Sequence, residues 1–300
     1  MISVIISSQK KALLEEVTKN IEVTIGVPFE IISIENSNGK MGICEAYNSG
    51  AAKASFDILC FMHEDVSFET VGWGKNVVTH LSDMEVGLIG VAGGDTKSVV
   101  PSSWSSSVFQ SEISIIQHSR DSAVPPQRIV KTGYPNNTAT IKNVVCIDGV
   151  WMCTRKDIFE KHQFDSVVFK GFHGYDIDFS LQVFSQYRVC VIFDVLLHHY
   201  SEGNYSKVWI ESAVMISKKW RGILPLSVRG LSKKELITQH WTAMSVFLEK
   251  LNLLNYSLPQ ILTYYCRYSF NRFFHLLHFL HFLKLIFLNY LKNDKSLSIK

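Results

Sequence analysis

The chain has no CxxC pair. Its six cysteines, at positions 44, 60, 146, 153, 190 and 266, stand singly, several of them inside apolar runs. This excludes a disulfide framework or a zinc ribbon, and it reads as buried, reduced thiols of a cytoplasmic protein. A basic n-region followed by a long apolar segment is also missing at the start, where Ile2 to Ile6 enters an apolar strand directly, so no secretory signal is expected. Charged residues are sparse, 19% against 47% hydrophobic over 300 residues. Such a chain is not disordered and suits one sizeable globular domain with an appendage.

The formal net charge of +3 hides an asymmetry. Residues 229–300 hold ten Lys/Arg against three Asp/Glu, giving +7, and the remainder holds twenty against twenty-four, giving −4. An acidic body excludes nucleic acid as its partner, and a basic tail calls for an anionic one, most simply a membrane surface.

The most informative stretch is DILCFMHEDVSF, residues 57–68. Ile58 to Met62 is short, apolar and bounded, as a buried central strand should be. It ends on His63, Glu64 and Asp65, at the strand's carboxyl end, where open α/β sheets bind their ligands. Strand alternation puts His63 and Asp65 on one face, roughly 7 Å apart at ~3.3 Å per residue, with Glu64 facing the other way. One hard divalent cation could sit there. Charged residues also mark places where a strand simply leaves the core, so the segment alone does not decide.

Its company does. ISVIISS (2–8) ends in Ser7 and Ser8 and is followed by a helical pattern from Lys11 to Ile21; FEIISIENS (29–37) is a second strand with Glu35 at its end. GICEAYNSGAAKA (42–54) is a helix whose small residues allow a close approach to a sheet or a ligand, with Asn48 in YNSG hard to explain by packing. Trp73 to Leu81 reads as a helix, Val86 to Ala92 as a buried strand, and 95–142 as a polar loop region with a strand near Ser111 to His118. Alternating strands and helices imply a mainly parallel, doubly wound sheet. Then come VVCIDGVWMCTRKDIFEKHQFD (144–165), KGFHGYDIDFSLQVF (170–184), a strand from Arg188 to Leu197, HHYSEG (198–203) and the spacing Trp209, Trp220, Leu224, Pro225.

In order and spacing, residues 1–226 resemble the GT-A glycosyltransferases of the large inverting family two. His63-Glu64-Asp65 stands where that family has its DXD motif, in the manner of a subgroup whose motif begins with His. The resemblance implies a GT-A fold over 1–228, divided into a nucleotide-binding half (1–94), a variable acceptor-side region (95–142) and a catalytic half (143–228), with 229–300 as a helical extension. It implies nucleotide contacts from Ser7, Glu35 (to the uracil), Asn48 and Glu64. Donor or acceptor sugar contacts would come from Asp148, Gly149, Trp151, Tyr175 and Asp178. Mn²⁺ or Mg²⁺ would be held by Asp65 and His199, with His63 a third ligand, and Asp176 would be the catalytic base. Asp176 and Asp178 could equally be ordinary first-turn helix carboxylates, and the helix dipole should lower the pKa of Asp176.

The implied activity is inverting transfer of a sugar, from a UDP-linked donor, to a glycan or lipid-linked acceptor in bacterial surface polysaccharide synthesis. A non-catalytic nucleotide-sugar-binding protein of the same fold is the alternative. A sugar nucleotidyltransferase is disfavoured, because the first strand is not followed by a Gly-rich loop bearing Arg or Lys. Finally, Phe273 to Leu291 is almost long enough to span a bilayer, which needs about 20 apolar residues. His275, His278, His281 and Lys284 recur every third residue, as if gathered on one side of a helix lying in a membrane interface with its aromatics buried in the lipid. That gives 258–292 as a peripheral contact on the inner face of the plasma membrane, or as an interface with a second subunit.

Overall fold

The computed structural model describes residues 1–104, 111–119, 121, 123–131, 139–201, 203 and 205–297. Parts of the stretch 95–142 therefore lie outside the described residues. The chain begins β1 (Ile2–Ser8), α1 (Lys11–Thr24), β2 (Phe29–Glu35), α2 (Ile43–Ala51), β3 (Ile58–Met62). β1 is buried along most of its length and pairs in parallel with β2 and β3. The small residues of α2 serve the sheet: a Cβ at Gly50 would lie 2.3 Å from Ile5 Cγ2, so this helix lies on β1 only because position 50 has no side chain.

After β4 (Val66–Phe68) and α3 (Trp73–Leu81) the chain forms β5 (Val86–Gly90), β6 (Ala92–Gly94), β7 (Thr96–Lys97), β8 (Ser111–Gln117), β9 (Gln127–Lys131), β10 (Ile141–Val144) and β11 (Cys146–Ile147). Then follow β12 (Trp151–Arg155), α4 (Lys156–Phe159), α5 (Tyr175–Phe184), β13 (Arg188–Ile192), β14 (Leu197–His199), α6 (Lys207–Lys219) and β15 (Leu226–Ser227). Among the described residues the large sheet runs β10-β13-β5-β12-β3-β1-β2. It is mixed, more so than the mainly parallel sheet the alternation implies. β12 runs antiparallel to both β3 and β5, and β10 antiparallel to β13. The reason is the route: the excursion through β6 to β11 leaves the chain at the carboxyl edge of the sheet, with Trp151 beside Met62, and a strand starting there without a helical crossover must run backwards.

A second sheet, β11-β6-β8-β14-β4 with β9 on β8, lies along that edge. The run Arg188–Leu197, expected as one strand, is split between the sheets. The corner is tied to α3, since Asn76 Nδ2 donates to the Asp194 carbonyl at 2.7 Å and His80 Nε2 lies 2.9 Å from the Asp194 carboxylate. A polar residue in an apolar run is where the chain changes sheets.

The C-terminal helices are α7 (Lys233–Leu253), α8 (Leu258–Ser269) and α9 (Leu276–Leu297). Capping boxes, Ser232 with Glu235 and Ser257 with Gln260, begin the first two. Trp241, Met244, Phe247, Leu251, Ile261 and Tyr265 build their shared core, which joins the body through Val100 and Ile210. Five of the cysteines are buried as expected, whereas Cys266 on α8 is exposed.

The histidine stripe does not gather on one side of α9. Successive residues turn 100° in a helix, so every third residue drifts back by about 60° and four of them sweep half the circumference. His278 accordingly packs inward on Trp241 (5.6 Å between ring centroids), while His281 and Lys284 are exposed. No helix among the described residues is long and apolar enough to cross a membrane.

Candidate functional site

β3 ends at Met62, and the next three residues send their side chains in different directions. Glu64 turns to α1, accepting from the amides of Gln9 (3.2 Å) and Lys10 (3.0 Å). Its carboxylate therefore satisfies two backbone donors at the entry to that helix, which has no side-chain cap of its own. His63 and Asp65 converge on the other side. His63 Nδ1 is 3.8 Å and His199 Nε2 4.0 Å from the same oxygen, Asp65 Oδ1. One ligand atom from each of the three residues lies within 4.8 Å of the others, and all three side chains are half-buried.

Each imidazole is held in the tautomer that such a site needs. The Tyr175 hydroxyl donates to the Gly149 carbonyl at 3.0 Å, so it can only accept from His63 Nε2–H, 2.9 Å away. The lone pair of His63 is thereby left on Nδ1, facing Asp65. Burial holds the pKa of His63 below its ordinary value despite the nearby Asp65 carboxylate, keeping the ring neutral. On β14, His199 Nδ1 meets Gln117 Oε1 at 3.1 Å. Gln117 Nε2 already donates to the carbonyls of His118 and Ser201, so Oε1 is the acceptor and Nε2 of His199 is left unprotonated, accepting from the Ser201 hydroxyl at 3.1 Å and lying 4.0 Å from Asp65 Oδ1. Two imidazole nitrogens and a carboxylate oxygen form a mixed N/O set that fits Mn²⁺. Gly149 is required at its position, because a Cβ there would lie 2.0 Å from the Tyr175 hydroxyl.

Beside this cluster lies a second pair of acids. Asp176, in the first turn of α5, accepts from the Gly149 amide at 3.2 Å, and Asp148 accepts from the Val150 amide at 2.8 Å. The helix dipole does not win here. Burial, and next the Asp148 carboxylate, push the pKa of Asp176 up to about 7, against the backbone N–H groups that favour its charged form. A carboxylate poised near neutrality is suited to taking up a proton at physiological pH.

Three further expected residues do other work. Trp151 is fully buried, edge-on to Trp73 at 5.9 Å, and belongs to the core rather than to a sugar site. Asp178 is 1% exposed, and its oxygens are taken by Trp220 Nε1 (2.8 Å), Lys219 Nζ (2.8 Å) and Gln182 Nε2 (2.9 Å), which makes it the anchor of α6 on α5 and leaves nothing for a sugar. Asn48 exchanges two hydrogen bonds with the backbone of Phe164, at 2.8 and 3.2 Å, stapling α2 to the segment before α5 instead of facing a ligand. Ser7 and Glu35 do end adjacent strands at the carboxyl edge, with Ser7 half-buried and Glu35 exposed. Gln117 and Lys219 were not legible as site residues. The first needs the pairing of β8 with β14, and the second stands next to Trp220 in a pattern that draws attention only to the tryptophans.

Residues 2–219 match the model of a family described as glycosyltransferase like. No curated protein matches the sequence significantly. Similar solved structures include GalNAc-T7 with UDP, GalNAc and Mn²⁺ (11% identity, TM-score 0.51, covering 89% of this chain and 54% of that one). Others are Staphylococcus aureus TarS 1–349 with UDP (10%, TM-score 0.49, 88% and 78%) and the mannosyltransferase PcManGT from Pyrobaculum calidifontis with GDP-Man and Mn²⁺ (12%, TM-score 0.45, 100% and 87%). The chain thus spans about half the length of the first of these, and at such identities the likeness is one of fold, the GT-A architecture of a mixed sheet flanked by helices. Because the matching model covers well over half of its residues, the chain belongs to the glycosyltransferase-like family.

Proposed function

We propose that the chain transfers a sugar with inversion from a UDP-linked donor to an acceptor hydroxyl, and that transfer depends on a divalent cation, Mn²⁺ or Mg²⁺. The observation that carries this reading is the convergence of His63, Asp65 and His199 on one point next to Asp176. The cation, when bound, neutralises charge on the donor pyrophosphate as the leaving group departs. His63 and His199 offer the nitrogens that Tyr175 and Gln117 leave unprotonated, and Asp65 offers the charge. Asp176 takes the proton of the acceptor hydroxyl as its oxygen bonds to the anomeric carbon and the bond from that carbon to the phosphate oxygen breaks, releasing UDP. The Gly149 amide keeps the Asp176 carboxylate oriented for that step. Glu35, exposed at the end of β2 with its Oε1 accepting from the Ser37 amide, is assigned to the uracil, whose N–H needs an acceptor, and Ser7 to the same nucleotide.

The test is calorimetric titration of UDP with and without Mn²⁺ on wild type and Asp65→Ala, together with release of UDP from a panel of UDP-sugars. Metal-dependent binding lost in the variant, with turnover in wild type, supports the reading. Equal affinities would sink the metal assignment, and metal-dependent binding without turnover would make the chain a non-catalytic nucleotide-sugar-binding protein.

A further inference from the structure

The outward face of α9 carries Leu277 (71% exposed), Leu280 (51%) and Leu288 (42%) around Lys284, on the side opposite the buried Ile286 and the half-buried Phe279 and Phe282. Phe270 and Phe274, stacked at 5.4 Å, extend this surface past the helix start and are 60% and 40% exposed. A continuous apolar surface of this kind is not left bare without a purpose. The segment that carries it is strongly basic: residues 229–300 hold ten Lys/Arg against three Asp/Glu, and between Glu249 and Asp294 the sequence has no acid. A cavity of about 350 Å³ lies between this helix and α7, on the inward side, lined by Lys233, Lys234, Ile237, Thr238, His275 and His278.

We propose that α9 docks on an anionic bilayer, with Leu277, Leu280 and Leu288 entering the headgroup boundary and Lys284 meeting lipid phosphate. Lys284, in the middle of the leucines, reaches back to the interface along its own apolar stem. The orientation is the reverse of the one the histidine spacing suggests: the leucines meet the lipid, and most of the aromatic rings and His278 stay with the protein. Charge selects the occupant. A second copy of this chain would bring a face of the same positive sign, whereas phosphatidylglycerol or a similar anionic lipid complements it. The docking does not depend on the transferase reading, since lipid binding is its readout.

The experiment is flotation of the full chain with vesicles of phosphatidylcholine alone or mixed with phosphatidylglycerol, alongside its mass in solution by light scattering. Binding should require the anionic lipid, weaken in ~0.5 M salt, and fall by at least about tenfold in a Leu277→Asp/Leu280→Asp variant, whose exposed positions leave the fold intact. Lys284→Glu should weaken binding to anionic vesicles while the thermal midpoint stays unchanged. The proposal is overturned if the full chain stays in the soluble fraction with anionic vesicles at low salt, or if the leucine variant binds as wild type does. A concentration-dependent dimer that the leucine variant dissolves, with no vesicle binding, would instead make the face a contact between copies.

Discussion

Histidines cluster at two places in this molecule, and the two clusters behave differently. In the cleft, His63 and His199 each have one ring nitrogen fixed by Tyr175 or Gln117 and the other turned to Asp65, where His199 Nε2 also meets the Ser201 hydroxyl. Among the C-terminal helices, His278 lies on Trp241, and its pKa is lowered by burial and by the neighbouring His275 and His281. His240, buried against the same tryptophan, is pushed down to about 4. Imidazoles packed among rings act as half-polar aromatics, and those oriented by a hydroxyl or a carboxamide become candidate ligands. The partner on the far nitrogen decides the role, and histidine spacing in the sequence does not reveal it.

The largest test of this contrast is Asp176→Asn. Turnover should fall ~10²- to 10⁴-fold with donor affinity preserved, measured as kcat against the Kd for UDP. In wild type kcat/KM should rise with pH through about 7, as Asp176 becomes able to accept a proton. The sign for stability is opposite. The native pKa lies above the ordinary value of 3.8, so between these values the native state holds a proton that the unfolded chain has lost, and stability falls as pH rises through about 7. Asn removes that dependence, so its thermal midpoint should exceed that of wild type above neutrality.

Next is Lys219→Met, which leaves Asp178 buried without its cation. Urea denaturation should show a loss of about 3–5 kcal/mol, and Asp178→Asn should cost less because no bare charge remains. Tyr175→Phe should be milder still. It frees His63 Nε2 without opening the core, and Mn²⁺ affinity by titration should fall ~10- to 100-fold with folding intact. If the affinity does not move, the orientation of His63 is not what prepares the site, and the contrast between the two histidine clusters loses its basis. Smallest is Ser232→Ala at the start of α7, about 1 kcal/mol in stability from the lost cap, with Mn²⁺ affinity as in wild type.

Much of this was legible in the sequence. β3 and α3 fall on Ile58–Met62 and Trp73–Leu81, the bounds that apolar runs and their flanking residues indicate. His63, Asp65 and His199 could be singled out because strand ends in such sheets are where polar residues need a reason. What was not legible depends on pairs distant in sequence. Trp151 reads as a site residue until β12 is seen lying between β3 and β5, and Asp178 reads as a second acid until α6 brings Lys219 onto it. Tyr175 and Gly149 are 26 positions apart, and only their contact explains why one is large and the other has no side chain.

The corner at Asp194 gives the chain a built-in check on its own assembly. His63 follows β3 of the large sheet, whereas Asp65 leads into β4 and His199 ends β14, which pair in the second sheet with Val66 opposite His199, so neither sheet alone supplies all three side chains. A cation bound there would join the turn from β3 to β4 with the end of β14, which lies more than a hundred positions later in the chain. It would act as a late cross-link, favouring the native state in proportion to the logarithm of its concentration over Kd, and would bind negligibly to a chain whose second sheet had not yet docked. Metal affinity would then report on the completeness of the fold as well as on the chemistry of the site.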